Sequence, residues 1–425
     1  MTRRAVALAA AIPALCAAAA MQSPPYRAIG TIAAAAWPYL PGSVIPIRVD
    51  GFSAPYQVAL AGPGSLHADG SYAVPAEAAA GSATLIVGNA SGIAERRIRI
   101  AAPPSVRDGV LAVASYDRGI VFHDPRTFAP LGVLATGGTP SDAVISRDGR
   151  LAATDTQGSS LALVTLDPWR VGRIEGVPLG DEVAVDDSSG AIFVTDRESG
   201  AAAPGGGALT RIAADGRVSS VVTGQTPEGL AIDRRRGIVY VANVNDGTIA
   251  AVDARTMRVE RRFKAIARVF SLVLSSDGSR LYAISNQSAG SPFAAPGAAI
   301  AIALRPAPHV VARSGDLTFP LGAALDSKTG TLFVTDESRD AVDVLDARTL
   351  RAKRAPLSTC RTPWKPEIDP VAGRLYVPCA RADAVDVFDT RTLRRAGGAP
   401  FATGSYPLAV AVWHRPPAAK APANR

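Results

Sequence analysis

The chain has 425 residues, of which 48% are hydrophobic and 6% aromatic, and a formal charge of +8. This is ample material for a large apolar core, and no run after the first twenty or so residues is apolar enough to suggest a membrane span. Four histidines, His67, His123, His309 and His414, are scattered among unrelated contexts, and no Cys-x-x-Cys-His run is present, which argues against a haem or copper enzyme.

Met1-Thr2-Arg3-Arg4 followed by the Ala-rich stretch from Ala5 to Ala20 has the layout of a secretory signal peptide, with cleavage expected near Ala19 to Gln22. The segment 1–22 is therefore read as removed on export, and loss of Arg3 and Arg4 leaves the mature chain at about +6 by the same counting. Residues 23–37 read as a linker. Residues 38–102 show short alternating strands, among them Val44 to Val49, Tyr56 to Leu60, Ala83 to Val87 and Glu95 to Ile100, separated by Gly, Pro and Asn turns. They predict a small β-sandwich, and the Ala-Gly-Ser-Ala-Thr-Leu-Ile-Val run resembles bacterial Ig-like modules.

From residue 106 to 415 the chain repeats itself. Thr226-Pro227 begins the clearest copy, which continues through Leu230 to Asp233, a turn at Gly237, Ile238 to Asn243 and Ile249 to Asp253, and closes on Ala254-Arg255-Thr256. Equivalent starting positions fall at Pro140, Gly180, Pro227, Val269, Pro320, Pro363 and Pro407, with spacings of 40, 47, 42, 51, 43 and 44 residues. A period of this length with four short strands per unit predicts a β-propeller, because one repeat cannot bury both faces of its sheet alone. Asp-Gly turns and turns running from Asp326 to Gly330 and Asp369 to Gly373 join the first strand of a repeat to the second, and Asp-x-x-Thr turns at Asp124, Asp253, Asp346 and Asp389 join the third to the fourth. The expected fold is thus all-β: a seven-bladed propeller closed by a shared N/C-terminal blade and preceded by the small sandwich. The shared blade follows because the repeat at 109–138 lacks a first strand and Tyr406 to Val412 supplies one, which removes an exposed edge. Residues 416–425 read as a disordered tail.

Through Tyr240-Val241-Ala242-Asn243, Phe193-Val194-Thr195-Asp196, Phe333-Val334-Thr335-Asp336 and Tyr376-Val377-Pro378 the repeat resembles the YVTN family of β-propeller proteins. The resemblance covers roughly three quarters of the chain and implies an exported or surface protein that uses the ring as a binding scaffold. Similar rings occur, more distantly, in haem d1 nitrite reductases, amine dehydrogenases and lactonases.

Residues just after each blade start should ring the mouth of the central channel. They include Asp142, Asp181, Glu182 and Glu228 from consecutive repeats, with Phe270, Trp364 and Lys365 on the other side. An acidic arc facing aromatics suits a cation, a sugar or a cationic peptide segment, and mutual repulsion among the carboxylates is the reason to expect a ligand there. The alternative is a solvated rim whose carboxylates cap backbone N–H groups. Long insertions at Arg197 to Gly207 and Gln287 to Gly297 belong to the same face. The opposite face carries Arg-rich turns able to meet anionic lipid, lipopolysaccharide or nucleic acid, but each turn also holds an Asp, and no aromatic side chains interleave to stack bases, which argues against nucleic acid.

No nucleophile elbow, phosphate-cradling loop or His pair at metal spacing is present. The expected function is a non-catalytic exported scaffold, without a cofactor, that binds a protein or envelope-glycan ligand at the channel mouth. Two alternatives stand beside it: a lactonase- or hydrolase-type enzyme using a divalent cation at the acidic mouth, and a structural cell-envelope protein with the first module as spacer. Secretion, to the periplasm or cell surface, would permit a disulfide between Cys360 and Cys379, which the repeat places at one end of a single hairpin.

Overall fold

The computed structural model describes residues 31–416 except 33, 52–54, 91, 117–118, 157–159, 178–179, 197–206 and 287–295. The expected signal peptide, the tail after 416 and most of the two long insertions lie outside the described residues. The chain divides into two units at Pro103/Pro104, and no α-helix occurs among the described residues.

The first unit holds three small antiparallel sheets, the longest pairing being the hairpin Gly81–Asn89 with Gly92–Ile100. Its core contains Leu40, Ile45, Tyr72, Leu85 and Ile98. The expected continuous strand from Val44 to Val49 is split. Val44–Pro46 pairs with Ser71–Ala73, whereas Val49–Asp50 pairs with Thr31–Ile32, from the segment read as linker. Pro46 explains the break, since it has no N–H with which to continue a ladder.

The second unit contains seven four-stranded antiparallel sheets, each in sequential strand order except one, where Pro407–Trp413 pairs with Val110–Ser115 from the other end of the unit. We number them as blades by chain order, with Val110–Ser115, Gly119–His123, Pro130–Leu134 and Pro407–Trp413 in the first. The innermost strands are Pro407–Trp413, Ala143–Ile145, Val183–Val185, Pro227–Asp233, Val269–Leu274, Pro320–Asp326 and Glu367–Asp369. Each touches the next in that order, and Pro407–Trp413 touches both Ala143–Ile145 and Glu367–Asp369.

Burial is greatest in the second strands of the blades and falls toward the outer ones. Second strands such as Ile238–Asn243 are wholly buried, while outer strands such as Val259–Lys264 are mostly exposed, which is why the former read as unbroken apolar runs and the latter as charged ones. The cores lie between neighbouring blades. Tyr240 and Ile249 of the fourth pack with Leu272 and Ile300 of the fifth, and Leu111, Val113, Phe128 and Val410 of the first pack with Tyr376, Val385 and Phe401 of the seventh.

The outer turns are fixed by their aspartates. Asp253 accepts hydrogen bonds from the Arg255 N–H at 3.1 Å, the Thr256 N–H at 2.6 Å and the Thr256 hydroxyl at 2.7 Å. These donors hold its carboxyl below the usual range. The following Met257 then takes a left-handed backbone (φ 55°), as do Phe128, Leu350 and Leu393 after the equivalent aspartates. Cys360 and Cys379 form a disulfide, which ties the segment leading into the seventh blade to its second strand.

Candidate functional site

Where the inner strands begin, the ladder is interrupted. Register shifts fall between Pro227 and Leu230, Val269 and Ser271, Pro320 and Ala323, and Pro407 and Ala409. A bulge releases residues from cross-strand pairing and re-aims them; here those residues are Glu228 and Gly229, Phe270, Leu321 and Gly322, and Leu408. Thr226, Arg268, Thr362 and Tyr406, each just ahead of a blade start, take φ values of 55°, 51°, 59° and 56°, a conformation that costs a non-glycine residue about 1 to 3 kcal/mol and clusters at working sites.

Threonine hydroxyls satisfy the backbone groups that the missing ladder leaves over. Thr335 Oγ1 accepts from the Gly322 N–H at 3.1 Å and donates to the Trp364 carbonyl of the next blade at 2.7 Å. Thr195 Oγ1 does the same between the Glu182 N–H (3.1 Å) and the Glu228 carbonyl (2.8 Å). Thr154 accepts from the Asp142 N–H at 3.0 Å. Close approach also requires glycine at position 322, where a Cβ would lie 2.7 Å from Pro366 Cδ and 2.9 Å from Lys365 Cα.

The result is a cavity of about 330 Å³ with walls from all seven blades. Every mouth residue expected to bind is there: Asp142, Asp181, Glu182, Glu228, Phe270, Trp364 and Lys365. Gly229 and Ala409, the next residues after the wall residues Glu228 and Leu408, are not among the walls. The repeat alignment missed three residues that are: Tyr116, Thr156 and Tyr406. The two tyrosine rings meet edge to face at 6.2 Å between centroids.

The charges are arranged differently from a bare acidic arc. Lys365 crosses from the seventh blade to Asp142 of the second at 2.8 Å and Glu182 of the third at 3.5 Å. It supplies, from within the chain, part of the positive charge that the expected repulsion assigned to a ligand. Asp142 also accepts from the Val183 N–H at 3.0 Å and Glu182 from the Leu230 N–H at 3.1 Å. These two carboxylates therefore cap neighbouring blades as well as facing the cavity.

Burial raises the Glu182 carboxyl, opposed by Lys365 and assisted by Asp142. Although burial disfavours its charge, the Lys365 ammonium is held well above its ordinary range by Asp142 and Glu182. Glu367, which no motif singled out, is pushed up to about 7, chiefly by burial, with Lys365 opposing and Asp142 and Asp369 assisting. Glu367 heads the inner strand Glu367–Asp369 of the seventh blade, two residues after Lys365.

Among the described residues, no group of three or more His, Cys, Asp or Glu side chains converges in a way that could hold a metal ion. Of the four mouth carboxylates, Asp142 and Glu182 meet the Lys365 ammonium and backbone N–H groups. The cavity can thus hold a polar or cationic group between carboxylates and aromatic rings.

No protein-family model matches the chain, and no curated protein matches it in sequence. Its fold is shared with solved structures. One, a candidate 6-phosphogluconolactonase from Bacteroides uniformis, is 13% identical over 72% of this chain and 99% of that one, with a TM-score of 0.59. A functionally unknown protein from Desulfotomaculum acetoxidans is 16% identical, again over 72% and 99%, with a TM-score of 0.58. Kuenenia stuttgartiensis hydrazine synthase is 15% identical over 72% and 92%, with a TM-score of 0.55. At such identities the likeness carries the fold and leaves the chemistry to the residues: the chain is similar to known β-propellers and is itself an all-β protein of propeller type.

Proposed function

We propose that this protein is an exported, non-catalytic propeller of the YVTN type that binds a ligand or protein partner through the axial cavity, by a cationic group. One observation carries the reading: all seven blades contribute walls to one cavity, in which Asp142, Asp181, Glu182 and Glu228 stand among aromatic side chains. A cation held over aromatic faces beside carboxylates gains from both, by about 0.5 to 2 kcal/mol for the aromatic share. The signal-peptide layout of residues 1–22 and the Cys360–Cys379 disulfide support export.

The test is a thermal-shift screen of the full-length mature chain against amines, amino sugars, Lys- and Arg-bearing peptides and neutral envelope glycans. Cationic members should raise the melting temperature, and Asp181→Asn combined with Phe270→Ala should abolish the rise while leaving the unliganded protein folded. Stabilisation by neutral glycans alone would replace the cationic reading with a sugar-binding one. Turnover of a lactone or ester that is lost in Glu367→Gln would instead favour the hydrolase alternative, for which the raised Glu367 carboxyl is the one supporting feature.

A further inference from the structure

On the face opposite the cavity, three of the Asp-x-x-Thr turns repeat more than their turn chemistry. They read Asp253-Ala254-Arg255-Thr256-Met257-Arg258, Asp346-Ala347-Arg348-Thr349-Leu350-Arg351 and Asp389-Thr390-Arg391-Thr392-Leu393-Arg394. The fold accounts for the aspartate, the threonine and the left-handed residue after it. It does not account for the two arginines.

Several other basic side chains on this face have structural partners. Arg280 Nη1 donates to the Arg348 carbonyl at 3.1 Å, Arg374 Nη1 to the Pro125 carbonyl at 2.7 Å, and Arg234 Nη2 to the Val185 carbonyl at 2.8 Å. Several are also neutralised, as Arg150 is by Asp148 at 2.9 Å and Arg236 by Asp233. The side chains of Arg255, Arg258, Arg348, Arg351, Arg391 and Arg394 are exposed and make no hydrogen bond or ion pair among the described residues. Each turn's own aspartate is occupied by backbone N–H groups, as with Asp346 and Asp389, which accept from Thr349 N–H at 2.9 Å and Thr392 N–H at 2.6 Å. Two cations per turn against one capped anion leave each of these three turns positive.

We propose that this face docks on a membrane bearing anionic phospholipid headgroups, with the axial cavity turned away from the bilayer. Guanidinium groups meet phosphate in a bidentate manner, and each basic side chain held near an anionic leaflet adds separately to the attraction. The six arginines stand on turns at the ends of blades, and aromatic rings for stacking bases are not interleaved with them; phospholipid is therefore the occupant their chemistry favours over single-stranded nucleic acid.

The full chain would be sedimented with vesicles of phosphatidylcholine alone and with one third phosphatidylglycerol, at about 0.05 M and 0.5 M salt. Binding is expected only to the anionic vesicles, at low salt, and a variant with all six arginines changed to Ser should partition at least about tenfold more weakly. The variant's melting temperature and its ligand response at the cavity should match wild type. Equal binding by the six-Ser variant, equal binding to neutral vesicles, no binding at low salt, or tighter retention on duplex DNA than on anionic vesicles would each overturn the proposal.

Discussion

Single hydroxyl groups hold the mouth of the channel in shape. Thr335 bridges the Gly322 N–H and the Trp364 carbonyl, so Thr335→Val keeps the side-chain volume while leaving two backbone groups without their partner. Urea unfolding should register a loss of about 1 to 3 kcal/mol, and an unchanged midpoint would mean that water replaces the hydroxyl. Glu367 gives a prediction in pH. Its carboxyl is raised from 4.5 to about 7 in the folded chain, so the folded state binds that proton more tightly than the unfolded one. The stabilisation is complete below pH 4.5 and is lost as pH rises through about 7. Glu367→Gln should therefore gain in melting temperature relative to wild type between pH 5 and pH 8, and parallel curves over that range would show that the group is not titrating there.

At the level of elements, the last strand has the largest consequence. Pro407–Trp413 pairs with Val110–Ser115, Trp413 Nε1 donates to the Arg147 carbonyl at 3.1 Å, and His414 Nε2 lies 2.8 Å from Asp369. A chain ending at residue 402 loses these contacts, uncovers the buried edge of Val110–Ser115 and leaves Lys365 without the Leu408 carbonyl that its N–H reaches at 3.3 Å. It should aggregate or unfold, read as loss of the soluble monomer peak on size exclusion. A soluble monomer with the wild-type melt would show that the strand is dispensable. The register shifts at the inner-strand starts were not legible in the repeat, since a bulge depends on what the partner strand offers rather than on a local motif.

For the whole molecule, the division at Pro103/Pro104 predicts that residues 104–425 fold without the first unit. The isolated segment should melt cooperatively and keep the ligand response of the full chain; a chain that is insoluble without residues 1–103 would show that the two units depend on each other.

The all-β repeat, its strand order within a blade, the Asp-capped turns and the mouth positions of Asp142, Asp181, Glu182, Glu228, Phe270, Trp364 and Lys365 could be read from the sequence. Each depends on local alternation and turn chemistry repeated at a fixed period, and both are written along the chain. The split of Val44 to Val49 between two sheets, the place of Glu367 and the two tyrosines at the rim could not. Only the closed arrangement of blades brings Lys365 to Asp142, 223 residues away in sequence, because a charge pair across a channel is set by the three-dimensional distance between blades and leaves no periodic trace. That pairing sets an ammonium against Asp142 and Glu182, two members of what reads in the sequence as a row of repelling carboxylates.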